Sequence, residues 1–158
     1  MDSLLLRSAL GRFATGVTIV TCTDDGGAFV GLTANSFNSL SLEPPLVLWS
    51  LRETSPSVGA FTRARGFAVN VLSEAQVELS RRFATRSEDK FSEGAWAAGA
   101  HGAPVLAGCA AVFECEMHSQ QPAGDHRLFI GRVLAFGEAP LAPLVFQAGH
   151  YHLLGEVL

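Results

Sequence analysis

Residues 31–51, GLTANSFNSLSLEPPLVLWSL, join two unlike halves whose contrast decides the fold. The second half, PLVLWSL at 45–51, is a continuous apolar run bounded by prolines, the pattern of a buried strand. The first half is crowded with small hydroxyl and amide side chains, although Asn is depleted in strands. A wet strand face or a bulge accounts for that composition. A polar edge that hydrogen-bonds a planar heterocycle accounts for it as well. Just upstream, residues 17–22 become β-branched and alternate, and Asp24-Asp25-Gly26-Gly27 supplies a turn. Residues 17–22 and 28–41 are therefore expected to form a β-hairpin.

Outward from this hairpin, Leu6, Ala9, Leu10 and Phe13 recur at helical spacing. They predict a helix over 3–14 with one buried stripe, capped by Asp2 or Ser3 and ended by Gly16. Beyond residue 51, Ser55 suits an N-cap and Pro56 the first helical position of a short helix through Phe61 to Arg63. Residues 66–72 read as a strand, and Ser73 with Gln76 resembles a capping box opening a helix to about Ala84. Residues 86–107 read mostly as loop. From Cys109 to Met117 apolar and polar residues alternate as in a half-exposed strand, Gly124-Asp125 offers a turn, 127–137 returns, and 144–147 adds a last strand. Six or seven hairpin-connected strands with short flanking helices predict a mainly β fold, a closed antiparallel barrel in one domain spanning 1–158.

The 158 residues are 48% hydrophobic and 16% charged, enough for a core with apolar surface left over for a ligand or a second subunit. A net charge of −4 with a single lysine, Lys90, argues against a nucleic-acid partner, which requires clustered cations. Cys22, Cys109 and Cys115 do not describe a disulfide framework, and the N-terminus reads as an amphipathic segment and not a leader. No stretch approaches the roughly 20 apolar residues that span a bilayer. A reducing cytoplasm is the expected compartment.

Three further stretches carry chemistry. At Ser50–Ser57 a helix start would present free N–H groups, with Ser55, Ser57 and Arg52 around an anion; ordinary capping is the plainer explanation. Gly124-Asp125-His126 places an imidazole at a hairpin mouth, where it is either merely exposed or aimed over a ligand. His150 and His152 share a strand face, but no third ligand stands at a recognised spacing, so no metal site is expected. GxGxxG, GxxxxGK[ST] and GxSxG motifs are absent.

The order of these stretches resembles the short-chain flavin reductases, the reductase components of two-component flavin-dependent monooxygenases. The similarity runs from Phe13-Ala14-Thr15-Gly16-Val17 to Gly149–Leu153. Its anchors are residues 31–47, the TSPS start at 54–57, FATRSEDKF at 83–91, GDH at 124–126 and FIGRV at 129–133. The resemblance implies an FMN-binding split β-barrel, a homodimer with FMN or FAD near the subunit interface. It also implies NAD(P)H as co-substrate and a separate monooxygenase as acceptor of reduced flavin. By position it implies that Thr33, Ala34, Asn35 and Ser36 line the isoalloxazine and ribityl chain, with Ser50 and Leu51 offering backbone contacts beside the ring. Ser55 and Ser57 hold the phosphate, Arg82, Lys90 and Phe91 add contacts, and His126, with Tyr151, touches the nicotinamide nucleotide. Relatives place a lysine or arginine beside the phosphate serines, where this chain has Arg52 offset by Glu53. The same fold class hosts pyridoxamine-phosphate oxidases and haem-associated proteins, against which the GDH stretch counts. A non-catalytic flavin or tetrapyrrole carrier, or a ligand-free interaction module, remains the alternative outside catalysis.

Overall fold

The computed structural model describes residues 1–158. In chain order it contains α1 (Ser3–Leu10), β1 (Thr15–Gly16), β2 (Thr18–Thr23), β3 (Phe29–Ala34), β4 (Asn38–Leu42), β5 (Pro45–Arg52) and α2 (Val58–Arg63). There follow β6 (Gly66–Val71), α3 (Val77–Phe83), β7 (Trp96–Ala98), β8 (Pro104–Leu106), β9 (Ala111–Ala123), β10 (His126–Glu138), β11 (Val145–Gln147) and β12 (His150–His152). The fold is mainly β, and every strand pairing is antiparallel.

Seven strands form the main sheet in the order β3-β2-β6-β9-β10-β5-β4. The β-branched run of β2 lies between β3 and β6 and is buried on both faces. Val20 and Cys22 join Trp49, Phe61, Phe67 and Phe129 in one core cluster, while Val17 and Ile19 join Leu72, Phe83 and Leu106 in the other. The β9–β10 hairpin turns through Gly124 and Asp125, and Gly124 has φ +62°, a conformation glycine adopts without a Cβ penalty. β3 and β4 are consecutive in sequence, separated only by residues 35–37, yet they occupy opposite edges of the sheet. A link that short forces the sheet to curl until its edges approach. At the meeting point the Ser36 hydroxyl donates to the Ser50 carbonyl (2.9 Å) and accepts from the Ser50 N–H (3.0 Å).

Several expectations change in detail. The helix predicted over 3–14 ends at Leu10, and none of its residues is buried; Leu4 is 73% and Leu10 66% exposed. Helical periodicity identifies an apolar face, but nothing in this chain covers it. Asp2 is the cap, its Oδ1 accepting from the N–H groups of Leu4 and Leu5. The strand expected over 28–41 breaks at 35–37, where the backbone leaves β2 and crosses to β5. The helix after Pro56 begins at Val58 with Ser57 at the cap position, although Ser55 Oγ still accepts from the Ser57 N–H (3.2 Å). Gln76 reaches back to the Ser73 N–H (3.0 Å), as the capping pattern predicted, but α3 proper starts only at Val77. Within the expected loop 86–107, β7 and β8 pair as a small second sheet. No helix is long and apolar enough to cross a membrane.

Candidate functional site

β3 is an edge strand, so one side of its backbone has no strand partner. Its residues alternate between faces: Val30, Leu32 and Ala34 pack on the main core, which sends Phe29, Gly31 and Thr33 to the face covered by α3 and the 86–91 segment. A cavity opens at each end of that face. The first, about 530 Å3, is lined by Phe29 and Gly31, by Pro56 and Ser57 before α2, and by Arg86, Lys90 and Phe91. The second, about 220 Å3, is lined by Val17, Thr33, Ala34, Asn35, Phe146 and Tyr151.

The first cavity is the more polar and carries the unsatisfied charge. Lys90 Nζ donates to the carbonyls of Gly31 and Phe83, both at 3.3 Å, and lies 5.9 Å from the centroid of the Phe83 ring. Neither Lys90 nor Arg86 pairs with a carboxylate, including Glu88 on the same rim. Burial holds the Lys90 ammonium below its ordinary pKa, because a half-buried cation with only neutral acceptors is under-solvated. The Ser57 hydroxyl makes no hydrogen bond within the chain, and the N–H groups of Gly59 and Ala60 find no backbone acceptor. Together these groups provide donors and positive charge around one opening.

Gly31 explains how an aromatic wall fits there. A Cβ at this position would stand 2.9 Å from Phe91 Cζ and 3.0 Å from Phe83 Cε1, so only glycine lets both rings close on the strand. Phe91 in turn packs edge-on against Phe83 and Trp96, with centroids 5.0 and 4.8 Å away.

The second cavity is organised around Ser80, a buried α3 residue that the sequence reading missed. Thr33 Oγ1 donates to the Ser80 carbonyl (2.6 Å), and Ser80 Oγ shares a hydrogen bond with the Tyr151 hydroxyl (2.7 Å). Thr33 and Tyr151, far apart in sequence, thus meet through one helix residue. Arg86 was also missed as a lining residue; its place in the FATRSEDKF stretch was visible, its direction was not.

Other predicted residues fall elsewhere. The Ser36 hydroxyl is spent on the backbone N–H and carbonyl of Ser50, and Leu51 is buried in the main core. Ser55 supports the turn before α2 and does not line either cavity. Arg82 points away from the first cavity, onto the backbone of residues 89–92. His126 opens β10 opposite Arg52 and borders neither cavity. Its Nδ1 meets Asp125 Oδ1 at 2.7 Å, and that hydrogen bond, with the imidazole's charge, holds the Asp125 carboxyl below its ordinary range. The contact fixes the ring and leaves Nε2 as its free nitrogen. Glu53 pairs with Arg127 (3.1 Å), so it does not neutralise Arg52 as the sequence suggested. His150 and His152 each contact a backbone carbonyl.

Residues 10–155 match the flavin reductase like domain family. The stachydrine N-demethylase reductase subunit of Rhizobium meliloti is 45% identical over 150 residues, covering 95% of this chain and 65% of that protein. The FMN reductase (NADH) of Agrobacterium fabrum is 44% identical, covering 95% of this chain and 85% of that one. Among solved structures, the NADH:FAD oxidoreductase of Streptomyces globisporus in complex with NAD and FAD fragments superposes with a TM-score of 0.92 at 37% identity, covering 98% of this chain and 93% of that one. Several curated relatives are longer, and the chain spans about half to two-thirds of their length. With a family match across nearly all its residues and relatives above 40% identity, this chain belongs to the flavin reductase like domain family.

Proposed function

We propose that the protein is an NAD(P)H-dependent flavin reductase that takes FMN or FAD along the β3 edge and passes reduced flavin to a partner monooxygenase. One observation carries the reading: an unpaired, half-buried lysine stands beside a free serine hydroxyl and an unpaired arginine at one end of an open strand edge. That donor set fits a phosphate, and the edge strand with its second cavity fits a flat polar ring. The reductase names of the relatives, including a reductase component of a trigonelline monooxygenase, support the activity and the acceptor.

When bound, the flavin supplies a ring nitrogen that accepts a hydride from the nicotinamide C4. Lys90, Arg86 and Ser57 hold the phosphate by charge and hydrogen bonding. Thr33, Ala34 and Asn35 contact the ring and its chain beside the unpaired β3 backbone, and Phe91 closes the site as an apolar wall. Ser36, Ser50 and Leu51 act from behind by fixing the edge, and Ser55 by shaping the turn that presents Ser57. His126, oriented by Asp125, binds the nicotinamide nucleotide through Nε2, and Tyr151 adds a contact from the second cavity. No side chain needs to deliver a proton.

The chain forms one domain of the FMN-binding split-barrel type, supported by the approach of β3 and β4 and by β1 and β11 pairing residues from the two ends of the chain. A homodimer accounts for the exposed apolar side chains of α1, Leu42 and Phe136. Three unpaired thiols suit a reducing cytoplasm. The test is flavin-dependent oxidation of NADH or NADPH by the purified protein, with binding followed by quenching of flavin fluorescence. Turnover that requires added FMN or FAD is the expected result; absence of both binding and turnover removes the proposal.

A further inference from the structure

We infer that Arg82 is a positioning residue that sets Lys90 and Phe91 in the flavin site without touching the flavin. This rests on the reading of the first cavity as the phosphate end of that site. Arg82 leaves the last turn of α3, and its side chain is 29% exposed. Nε donates to the Lys90 carbonyl at 2.9 Å, and the same guanidinium reaches the Asp89 carbonyl and the Ser92 hydroxyl, the latter at 2.8 Å. Asp89 Oδ2 lies 3.9 Å away. A planar fork with fixed donors thus ties down three positions of a four-residue stretch.

The side chains of the stretch are anchored, Phe91 on Phe29, Phe83 and Trp96 and Lys90 Nζ on the Gly31 and Phe83 carbonyls, but its backbone lies in no strand or α-helix. Residues 90–92 form a single 3-10 turn, and residues 86–89 are exposed. Ser92 Oγ donates back to the Asp89 carbonyl, so the turn and the guanidinium form one small network. Because Nε grips the carbonyl of Lys90 itself, the guanidinium fixes the backbone from which both the ammonium and the Phe91 ring project. Without it, the Lys90 side chain must pay its ordering entropy when the ligand arrives, and affinity falls.

The experiment measures FMN and FAD dissociation constants by fluorescence quenching for Arg82→Met, Lys90→Met, Ser57→Ala and the double variants. Lys90→Met is expected to weaken binding about tenfold, the loss of one charged hydrogen-bonding partner. Arg82→Met is expected to weaken it by a similar factor and to raise the flavin KM while kcat at saturating flavin holds. The Arg82→Met/Lys90→Met pair should be hardly worse than either single change, whereas Arg82→Met/Ser57→Ala should be additive. Ser92→Ala, at an exposed position, gives a milder form of the same effect should Arg82→Met fold poorly. Wild-type affinity in Arg82→Met, or full additivity with Lys90→Met, overturns the inference. Wild-type affinity in Lys90→Met overturns instead the reading of the cavity on which it rests.

Discussion

Ser36→Ala separates a residue that holds the site from one that contacts ligand. Its hydroxyl makes two hydrogen bonds with Ser50, at 2.9 and 3.0 Å, and these join the 35–37 crossing to β5. Each such bond contributes roughly 0.5–1.5 kcal/mol net. Ser50 is half-buried, so water recovers part of what is lost, and a cost of about 1–2 kcal/mol follows. For a chain of this length that lowers Tm by roughly 3–6 °C. Urea unfolding should show a reduced midpoint with an unchanged slope, because the exposed surface is the same. Flavin affinity, measured on the folded protein, should change much less than stability. An unchanged midpoint with a large loss of affinity would refute this reasoning and return Ser36 to the ligand.

His126→Ala should raise KM for the nicotinamide nucleotide and leave flavin affinity nearly intact; unchanged steady-state constants would remove that role. Flavin affinity should also fall at alkaline pH. Lys90, whose neighbours are the Gly31 and Phe83 carbonyls, the Phe83 ring, and Arg86 and Glu88 of the same rim, loses its proton below the ordinary 10.5 and with it the charge that attracts phosphate. Its depressed pKa has the opposite sign for folding: between the folded and unfolded values the unfolded chain holds more protons, so this group's contribution to stability rises with pH there. Lys90→Met should abolish that limb of the binding curve, and a limb that survives in the variant belongs to another group. Burial pushes the thiols of Cys22 and Cys115 up to about 12 and of Cys109 up to about 11. A thiol reagent should therefore label none of the three in the native protein and all three in denaturant; rapid native labelling would contradict the packing.

What the sequence made legible depended on how local the cause was. The buried strand at 45–51 and the Gly124-Asp125 turn are set by hydrophobicity and by a backbone conformation that glycine adopts freely, and both were readable. The break at 35–37 was not, because Asn and Ser there look like a polar strand until Ser36 meets Ser50 across the curled sheet. β7 and β8 are poor in β-branched residues, and Trp96 is fixed by packing on Phe83 and Phe91, which no local pattern reveals. The resemblance pointed to segments that the structure gathers around two cavities, but it did not resolve direction. Arg82 just precedes the motif that contains Lys90, yet its guanidinium turns to the backbone of that motif while the ammonium lines the cavity. Ser80 was invisible because its role is to join two residues that sequence keeps far apart.

In the proposed complex a flavin lies along the β3 edge with its phosphate at the end marked by Lys90. A crystal structure of the protein with FMN bound tests it most directly. Phosphate oxygens are expected within hydrogen-bond distance of Ser57 Oγ and Lys90 Nζ, with the ring system running toward Thr33 and Asn35. A phosphate bound away from Ser57 and Lys90, or a ring that does not contact β3, would contradict it.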